Sequence, residues 1–344
     1  MPTAITPRLV LISGVSGFLG TATTLEFLKK GWKGALRIRG TVRRQEQADA
    51  WLEKYPQYRD QIHFVIVRDL ADDGAFDEAI KGVDAVAHTA SPFTFSFKDN
   101  VKDMLEPALK GTTSILEAAK REPSVKSVVI TSSLAAAQDP AKGLDPGFVR
   151  TSAVWSPFTW EQATKETIPA MVYLASKTFA ERAAWDFFER EKPNFSLATI
   201  VPPIILGEAL QPLSSLSDLN LSAAVVKRII DAEEIPPTAV PVFVNVNDCA
   251  RAHVEAIERA RTNRYLLIGG DNDNCLIAQY LREDFPEQAH RIPTKGDPVG
   301  PHWSYDCTPA VKELGIEFTD LRTTIKQAGE QLFRLERELP KAAM

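Results

Sequence analysis

The chain has 344 residues and a net charge of −5, with its basic residues scattered among acidic ones. That balance argues against a nucleic-acid or anionic-membrane surface and leaves a small molecule as the expected partner. The length exceeds the usual single core, so one large domain with a lobe attached, or two domains, is expected. The three cysteines, Cys249, Cys275 and Cys307, and the five histidines are dispersed without metal-ligand spacing, which argues against a disulfide framework, offers no metal site and suits a reducing compartment. No apolar run reaches membrane-spanning length, and Met1 to Arg8 has neither signal-peptide nor transit-peptide character, so a soluble cytoplasmic protein with no membrane partner is expected.

Leu9 to Ile12 is a short apolar run of the kind found in a buried parallel strand, and it leads into Ser13-Gly14-Val15-Ser16-Gly17-Phe18-Leu19-Gly20. The pattern predicts a helix over Phe18 to Lys30, closed by Gly31. Glycines at 14, 17 and 20 let the backbone turn tightly and approach a pyrophosphate seated on the helix N-terminus. A plain glycine-rich turn is the alternative, and the first spacing differs from the commoner G-x-G-x-x-G; strand before and helix after favour the phosphate cradle. The second strand, Leu36 to Val42, ends in Arg43-Arg44. At that position a dinucleotide fold meets the adenosine ribose, where NAD wants an acidic residue and NADP an arginine for its 2′-phosphate; the alternative is a solvated basic turn.

The third strand, Ile62 to Val67, ends in Arg68-Asp69-Leu70, and the fourth, Ala85 to His88, in Thr89-Ala90-Ser91. Both ends are expected to face the cofactor. His88 sits in an apolar run and reads as a satisfied core histidine before it reads as an acid or ligand. A helix over Asn100 to Lys120 contains Pro107, which predicts a kink. The fifth strand, Ser127 to Thr131, ends in Ser132-Ser133, where a hydroxyl can donate into a crevice or merely cap a turn. Residues 138 to 165 form a long irregular connection of the kind that walls or covers sites.

Tyr173 and Lys177 lie four residues apart on a helix that runs from Met171 to about Arg190 and is stopped by Pro193, so phenol and ammonium share one face. A nearby ammonium favours the phenolate, so the phenol pKa is expected to fall from its usual value of about 10. The pair can then act as general acid or base; an ordinary ion pair between Lys177 and Glu181, one turn on, is the alternative. The sixth strand, Leu197 to Val201, ends in Pro202-Pro203-Ile204. Beyond it the alternation breaks down, with helices expected over Asn220 to Asp231, Cys249 to Ala260, Thr308 to Leu314 and Asp320 to Leu335, and strands over Pro241 to Val246 and Arg264 to Ile268. The expected fold is α/β, a doubly wound parallel sheet of the Rossmann type in residues 5–201 rejoined by parts of 241–268, with a smaller substrate lobe in 202–240 and 269–344.

With the glycine turn, Arg43, Asp69-Leu70, His88 to Phe93, Val129 to Ser133, and Tyr173 to Trp185 in this order, the chain resembles the extended short-chain dehydrogenase/reductase family over nearly its whole length. Within it the resemblance is to the fungal NADPH-dependent ketone and aldehyde reductases, near dihydroflavonol and methylglyoxal reductases. The resemblance implies that Gly14, Val15, Ser16, Gly17, Phe18 and Leu19 wrap the pyrophosphate of NADPH, Arg43 and Arg44 hold its 2′-phosphate, and Asp69 and Leu70 meet the adenine. It further implies Thr89, Ala90, Pro203, Ile204 and, more loosely, Ser222 at the cofactor. Ser133, Tyr173 and Lys177 would be catalytic, with Phe93, Ser133 and Tyr173 facing a hydrophobic carbonyl substrate. Phe95, Phe97, Trp155, Phe158 and Trp160 could line that pocket or be plain core. Two features depart from the family pattern: Gln47 stands where relatives often carry a second basic residue, and the relay asparagine is missing, since no asparagine lies between Asn100 and Asn194. The rivals are an NAD-retaining nucleotide-sugar epimerase or dehydratase of the same fold, against which Arg43 speaks, and a non-catalytic dinucleotide sensor, which has no need of serine, tyrosine and lysine together.

Overall fold

A computed structural model describes residues 4–31, 36–91 and 97–339. The first part of the chain alternates strand and helix: β1 (Leu9–Ser13), α1 (Phe18–Lys30), β2 (Arg37–Val42), α2 (Gln45–Lys54), β3 (Ile62–Ile66), β4 (Ala85–His88), α3 (Glu106–Arg121) and β5 (Ser127–Thr131). It continues through β6 (Val149–Arg150), α4 (Trp160–Lys165), α5 (Pro169–Glu191), β7 (Ser196–Val201), β8 (Ile204–Leu206), α6 (Ala224–Ile229), β9 (Val242–Asn245), α7 (Val246–Glu258) and β10 (Asn263–Leu266). The remainder is β11 (Gly270–Asp271), α8 (Asn274–Asp284), β12 (Ser304–Tyr305), α9 (Thr308–Leu314) and α10 (Leu321–Glu338).

Seven strands form one sheet in the order β10-β7-β5-β4-β1-β2-β3, and every pairing in it is parallel. The strand order reverses between β1 and β4, so a crevice opens beyond their C-terminal ends. Alternate residues of β1 serve opposite layers, as a pleated strand requires. Val10 and Ile12 pack in the core that includes Phe27 of α1 and Val254 of α7, whereas Leu11 packs with Ile115 of α3 and Phe187 of α5. The smaller sheet, β11-β9-β8, is covered by a separate apolar cluster from α6, α8 and α10. The doubly wound α/β fold expected from the sequence is therefore present.

Several elements differ in detail from the sequence-based expectation. Pro107 does not kink one long helix. A single π turn over Val101–Leu105 precedes α3, and the amide of Glu106 donates to the Val101 carbonyl. Pro107 then enters at the start of α3, where its missing N–H deprives the helix of little. The 138–165 connection is not wholly irregular, since it contains β6, which pairs with β12, and ends in α4 behind a Thr159–Gln162 capping box. Helix α6 spans half of its expected length, and α2 and α8 stand where the sequence pattern predicts no helix.

Glycine is required where α1 meets the turn after β1. Gly14 adopts φ +68°, and a Cβ at Gly20 would lie 2.1 Å from the Gly14 carbonyl oxygen. The helix can thus sit against the turn only with no side chain there. Gly20→Ala is expected to push α1 off the turn and to lower the thermal midpoint by several degrees, the overpacking cost being about 1–3 kcal/mol; an unchanged midpoint in a calorimetric scan would contradict that close approach.

Candidate active site

The cleft at the C-terminal edge of β1, β2 and β4 has a volume of about 250 Å³ and is lined by Gly14, Ser16, Gly17, Arg43, Thr89 and Ala90 together with Leu70. These come from four different strand ends, brought together because parallel strands all exit the sheet on one side. The Gly14 amide donates to Thr41 Oγ1 at 3.2 Å and the Val15 amide to the Thr41 carbonyl. Val15, Phe18 and Leu19 have their side chains in the core. Of these three, Phe18 and Leu19 present first-turn amides that their own helix cannot satisfy, which is the arrangement that receives phosphate.

Arg43 and Arg44 are exposed, and neither forms an ion pair among the described residues. Arg43 lines the cleft; Arg44 caps the start of α2 and does not. Gln47 shapes this turn, its side-chain oxygen accepting from the amides of Arg43 at 3.0 Å and Arg44 at 3.3 Å. A basic side chain could not accept those bonds, so Gln47 holds the turn that presents the two arginines. Asp69 folds back on its own turn, accepting from the Ala71 amide at 2.9 Å.

Tyr173 and Lys177 share one face of α5 as expected, but the electrostatics of the pair differ from the sequence-based reading. Burial raises the Tyr173 phenol above its usual range, and a hydrogen bond with Ser133 only partly offsets this. The lysine does not pull the phenol down. Its ammonium lies 5.8 Å from the tyrosine ring centroid and donates instead to Ser91 Oγ at 2.6 Å. Burial lowers Lys177 to about 8. Desolvation disfavours whichever form is charged, so it moves an acid and a cationic base in opposite directions. Nor does Lys177 pair with Glu181, whose carboxylate is taken by Arg264.

Ser133 follows β5 in extended conformation, its Oγ accepting from the Ala135 amide at 3.2 Å. On either side of it the Ser132 amide donates to the Ile200 carbonyl and the Leu134 amide to the Pro202 carbonyl, so the end of β5 is zipped to that of β7. A small space of about 20 Å³, room for roughly one water, adjoins Lys177 and is lined by Ser91, Thr112, Thr131, Ser132 and Glu181. Helix α3 turns Gly111 and Thr112 toward it. His88 is buried, bonded to Ser13 Oγ at 2.9 Å and lowered to about 3 by burial, so it is a neutral core histidine.

Not every expected residue joins the cleft. Pro203 leads into β8, and Ile204 lines a separate pocket of about 150 Å³ with Val225, Arg228, Pro237 and Asn274. Ser222 sits in the turn before α6 and lines neither space. Phe93 and Phe95 lie outside the described residues. Phe97 and Phe158 pack in a small cluster beneath α5, Trp160 packs at a tilt against Phe179 with centroids 5.2 Å apart, and Trp155 lies against the guanidinium groups of Arg264 and Arg182. Sequence reasoning missed Ser91 as a partner of Lys177. Its signal was present: a hydroxyl three residues past the end of β4, much as Ser133 lies two past the end of β5.

The pattern of the NAD dependent epimerase/dehydratase family matches residues 10–269. The chain belongs to this family. It is 36% identical over 333 residues to a ketoreductase of Aspergillus niger, covering 93% of this chain and 96% of that protein. It is 31% identical over 344 residues to the NADPH-dependent methylglyoxal reductase of Saccharomyces cerevisiae, covering 95% and 98%. Among solved structures, yeast methylglyoxal/isovaleraldehyde reductase complexed with NADPH aligns with a TM-score of 0.87 at 29% identity, over 96% of this chain and 100% of that one. Family membership agrees with the resemblance read from the motifs.

The Ser91 contact makes a testable statement about Lys177. Hydrogen bonding to the ammonium favours its charged form, so Ser91→Ala should lower the Lys177 pKa further below about 8. The measurement is ¹³C NMR titration of reductively methylated protein, with the resonance identified by its loss in Lys177→Arg; a pKa equal to or above that of the wild type would refute the role of Ser91.

Proposed function

We propose that the chain is an NADPH-dependent carbonyl reductase that converts a small hydrophobic ketone or aldehyde to its alcohol. The observation that carries this reading is the grouping of Ser133, Tyr173 and Lys177 beside a glycine-lined cleft whose far end holds an arginine with no carboxylate partner among the described residues. That cleft fits a dinucleotide with a 2′-phosphate: the Gly14–Gly20 approach leaves no room for a Cβ, the first turn of α1 offers amides, and Arg43 is positioned for charge-assisted bonding. Gly14 to Leu19 would hold the pyrophosphate, Arg43 with Arg44 the 2′-phosphate, and Asp69 and Leu70 the adenine. Thr89, Ala90, Pro203, Ile204 and Ser222 would complete the cofactor site. The reading divides the chain into a dinucleotide part, 5–201 with parts of 241–268, and a substrate lobe, 202–240 with 269–344.

NADPH, when bound, supplies the hydride that adds to the carbonyl carbon. Tyr173 donates its phenolic proton to the carbonyl oxygen as negative charge develops there, and Ser133 holds that oxygen by a hydrogen bond. The raised phenol pKa keeps the proton on Tyr173 at neutral pH, which is the state an acid must be in before it can donate. Lys177, its ammonium donating to Ser91 Oγ, would hold the nicotinamide ribose one helical turn from Tyr173. The yeast relative is named an NADPH-dependent methylglyoxal reductase and the solved yeast reductase is complexed with NADPH, which supports reduction over the cofactor-retaining epimerase reading.

Two measurements test this. Tyr173→Phe should lower kcat by about 10²- to 10⁴-fold, the usual contribution of a general acid, while the dissociation constant for NADPH stays near that of the wild type; wild-type turnover on diketones, ketoesters and aldehydes would end the assignment. Arg43→Ala should weaken NADPH binding by about tenfold and leave NADH binding unchanged, because a guanidinium gains a charge-assisted bond only from the 2′-phosphate. Equal losses for both cofactors, measured by quenching of tryptophan fluorescence, would mean that Arg43 supports the turn and does not read the phosphate.

A further inference from the structure

We propose that the buried Glu181–Arg264 ion pair is a positioning device for the reducing centre, setting Ser133 through Ser132 and fixing the backbone of the 152–154 segment on its other side. The proposal rests on the reading of Ser133 and Tyr173 given above. Glu181 lies one turn beyond Lys177 on α5, and Arg264 is in the edge strand β10, with side-chain exposures of 1% and 7%. Arg264 Nε donates to Glu181 Oε1 at 2.9 Å and Nη2 to Oε2 at 3.1 Å, a forked pairing.

The carboxylate accepts two more bonds, from Ser132 Oγ and from Thr199 Oγ1, each at 2.7 Å. The guanidinium uses its remaining side on the 138–165 connection: Nη1 donates to the carbonyls of Ser152 at 2.8 Å and Val154 at 2.6 Å, and the group stacks over Trp155 at 4.0 Å. Five segments, α5, the end of β5, β7, β10 and the connection, are thereby tied to two side chains. A buried ion pair contributes little net stability, because desolvation consumes most of its Coulomb energy. What this one adds is geometry. Ser132 precedes Ser133 directly, and both Ser132 and Glu181 line the small space beside Lys177, so a shift in the pair is transmitted to the residues that hold and protonate the carbonyl oxygen.

Ser132→Ala removes the link and leaves the ion pair intact. It should lower kcat by about tenfold, since a displacement of about 1 Å at a reacting group is costly, with the NADPH dissociation constant and the thermal midpoint close to wild type. The effect should vanish in the Ser133→Ala background, because a residue that acts by aligning Ser133 has nothing left to align there. Arg264→Lys, which keeps the charge but cannot fork, should lower kcat and also raise KM for the carbonyl through the released 152–154 segment. Unchanged kcat in Ser132→Ala, or the same fold-loss with and without Ser133, overturns the proposal. If Tyr173→Phe itself retains wild-type turnover, it is the reading of Tyr173 as acid that fails.

Discussion

Parallel pairing is the constraint from which the rest of this molecule follows. In the seven-stranded sheet each strand hydrogen-bonds to its neighbours in the same direction, so every strand must be reached by a crossover and every strand ends at the same edge. Gly14, Arg43, Thr89 and Ser133 are separated widely in sequence, yet each follows a strand and so is delivered to that edge. The reversal between β1 and β4 opens the crevice there; helices α1 and α7 close one face and α3 and α5 the other.

Burial is the second organising effect, and it works on charge. Around α5 it raises the phenol of Tyr173 and lowers the ammonium of Lys177, which keeps the acid protonated under neutral conditions and leaves the lysine more ready to give up its proton. The same effect makes His88 and His253 neutral; each is bonded within the core, His253 to Thr131 and to the Cys249 carbonyl. Imidazoles close to the strand ends are thus removed from proton chemistry, and the hydroxyl-bearing side chains Ser91, Ser132, Ser133 and Tyr173 remain.

The edge of the sheet and the long connection are joined by polar contacts that would be costly if incomplete. Arg150 is buried with no ion pair among the described residues, its guanidinium stacked 4.3 Å over Trp303 and bonded to the Ala137 carbonyl. Arg264 is buried with Glu181 and stacked on Trp155. Arginine serves in both places because its planar group can lie flat on an indole while its edge donates to carbonyl oxygens. The connection after β5 is thereby held against the C-terminal segment at β12 and against β10 at once.

Much of the fold is decided by local signals. The apolar run before Gly14, the helical spacing between Phe18 and Lys30, and the left-handed Gly31 that ends α1 are properties of adjacent residues, as are the boundaries of β4, β5 and α9, and they could be read without any partner in view. The glycine turn, Arg43, Ser133, Tyr173 and Lys177 were legible for the same reason, because position after a strand or on one helix face is a local property. Helix α2 was not, since Gln45–Lys54 is polar on most sides and its start is capped by Gln47 reaching back to Arg43 and Arg44. The direction of the Tyr173 shift was not legible either: charge proximity predicts a fall, and the amount of water excluded by α3, β5 and α5 decides for a rise. Lys177 and Ser91 are 86 residues apart, and Glu181 and Arg264 83. Which carboxylate meets which cation is settled only when strands far apart in the chain are laid side by side, because a hydrogen bond needs its partners within about 3 Å and sequence spacing carries no such distance.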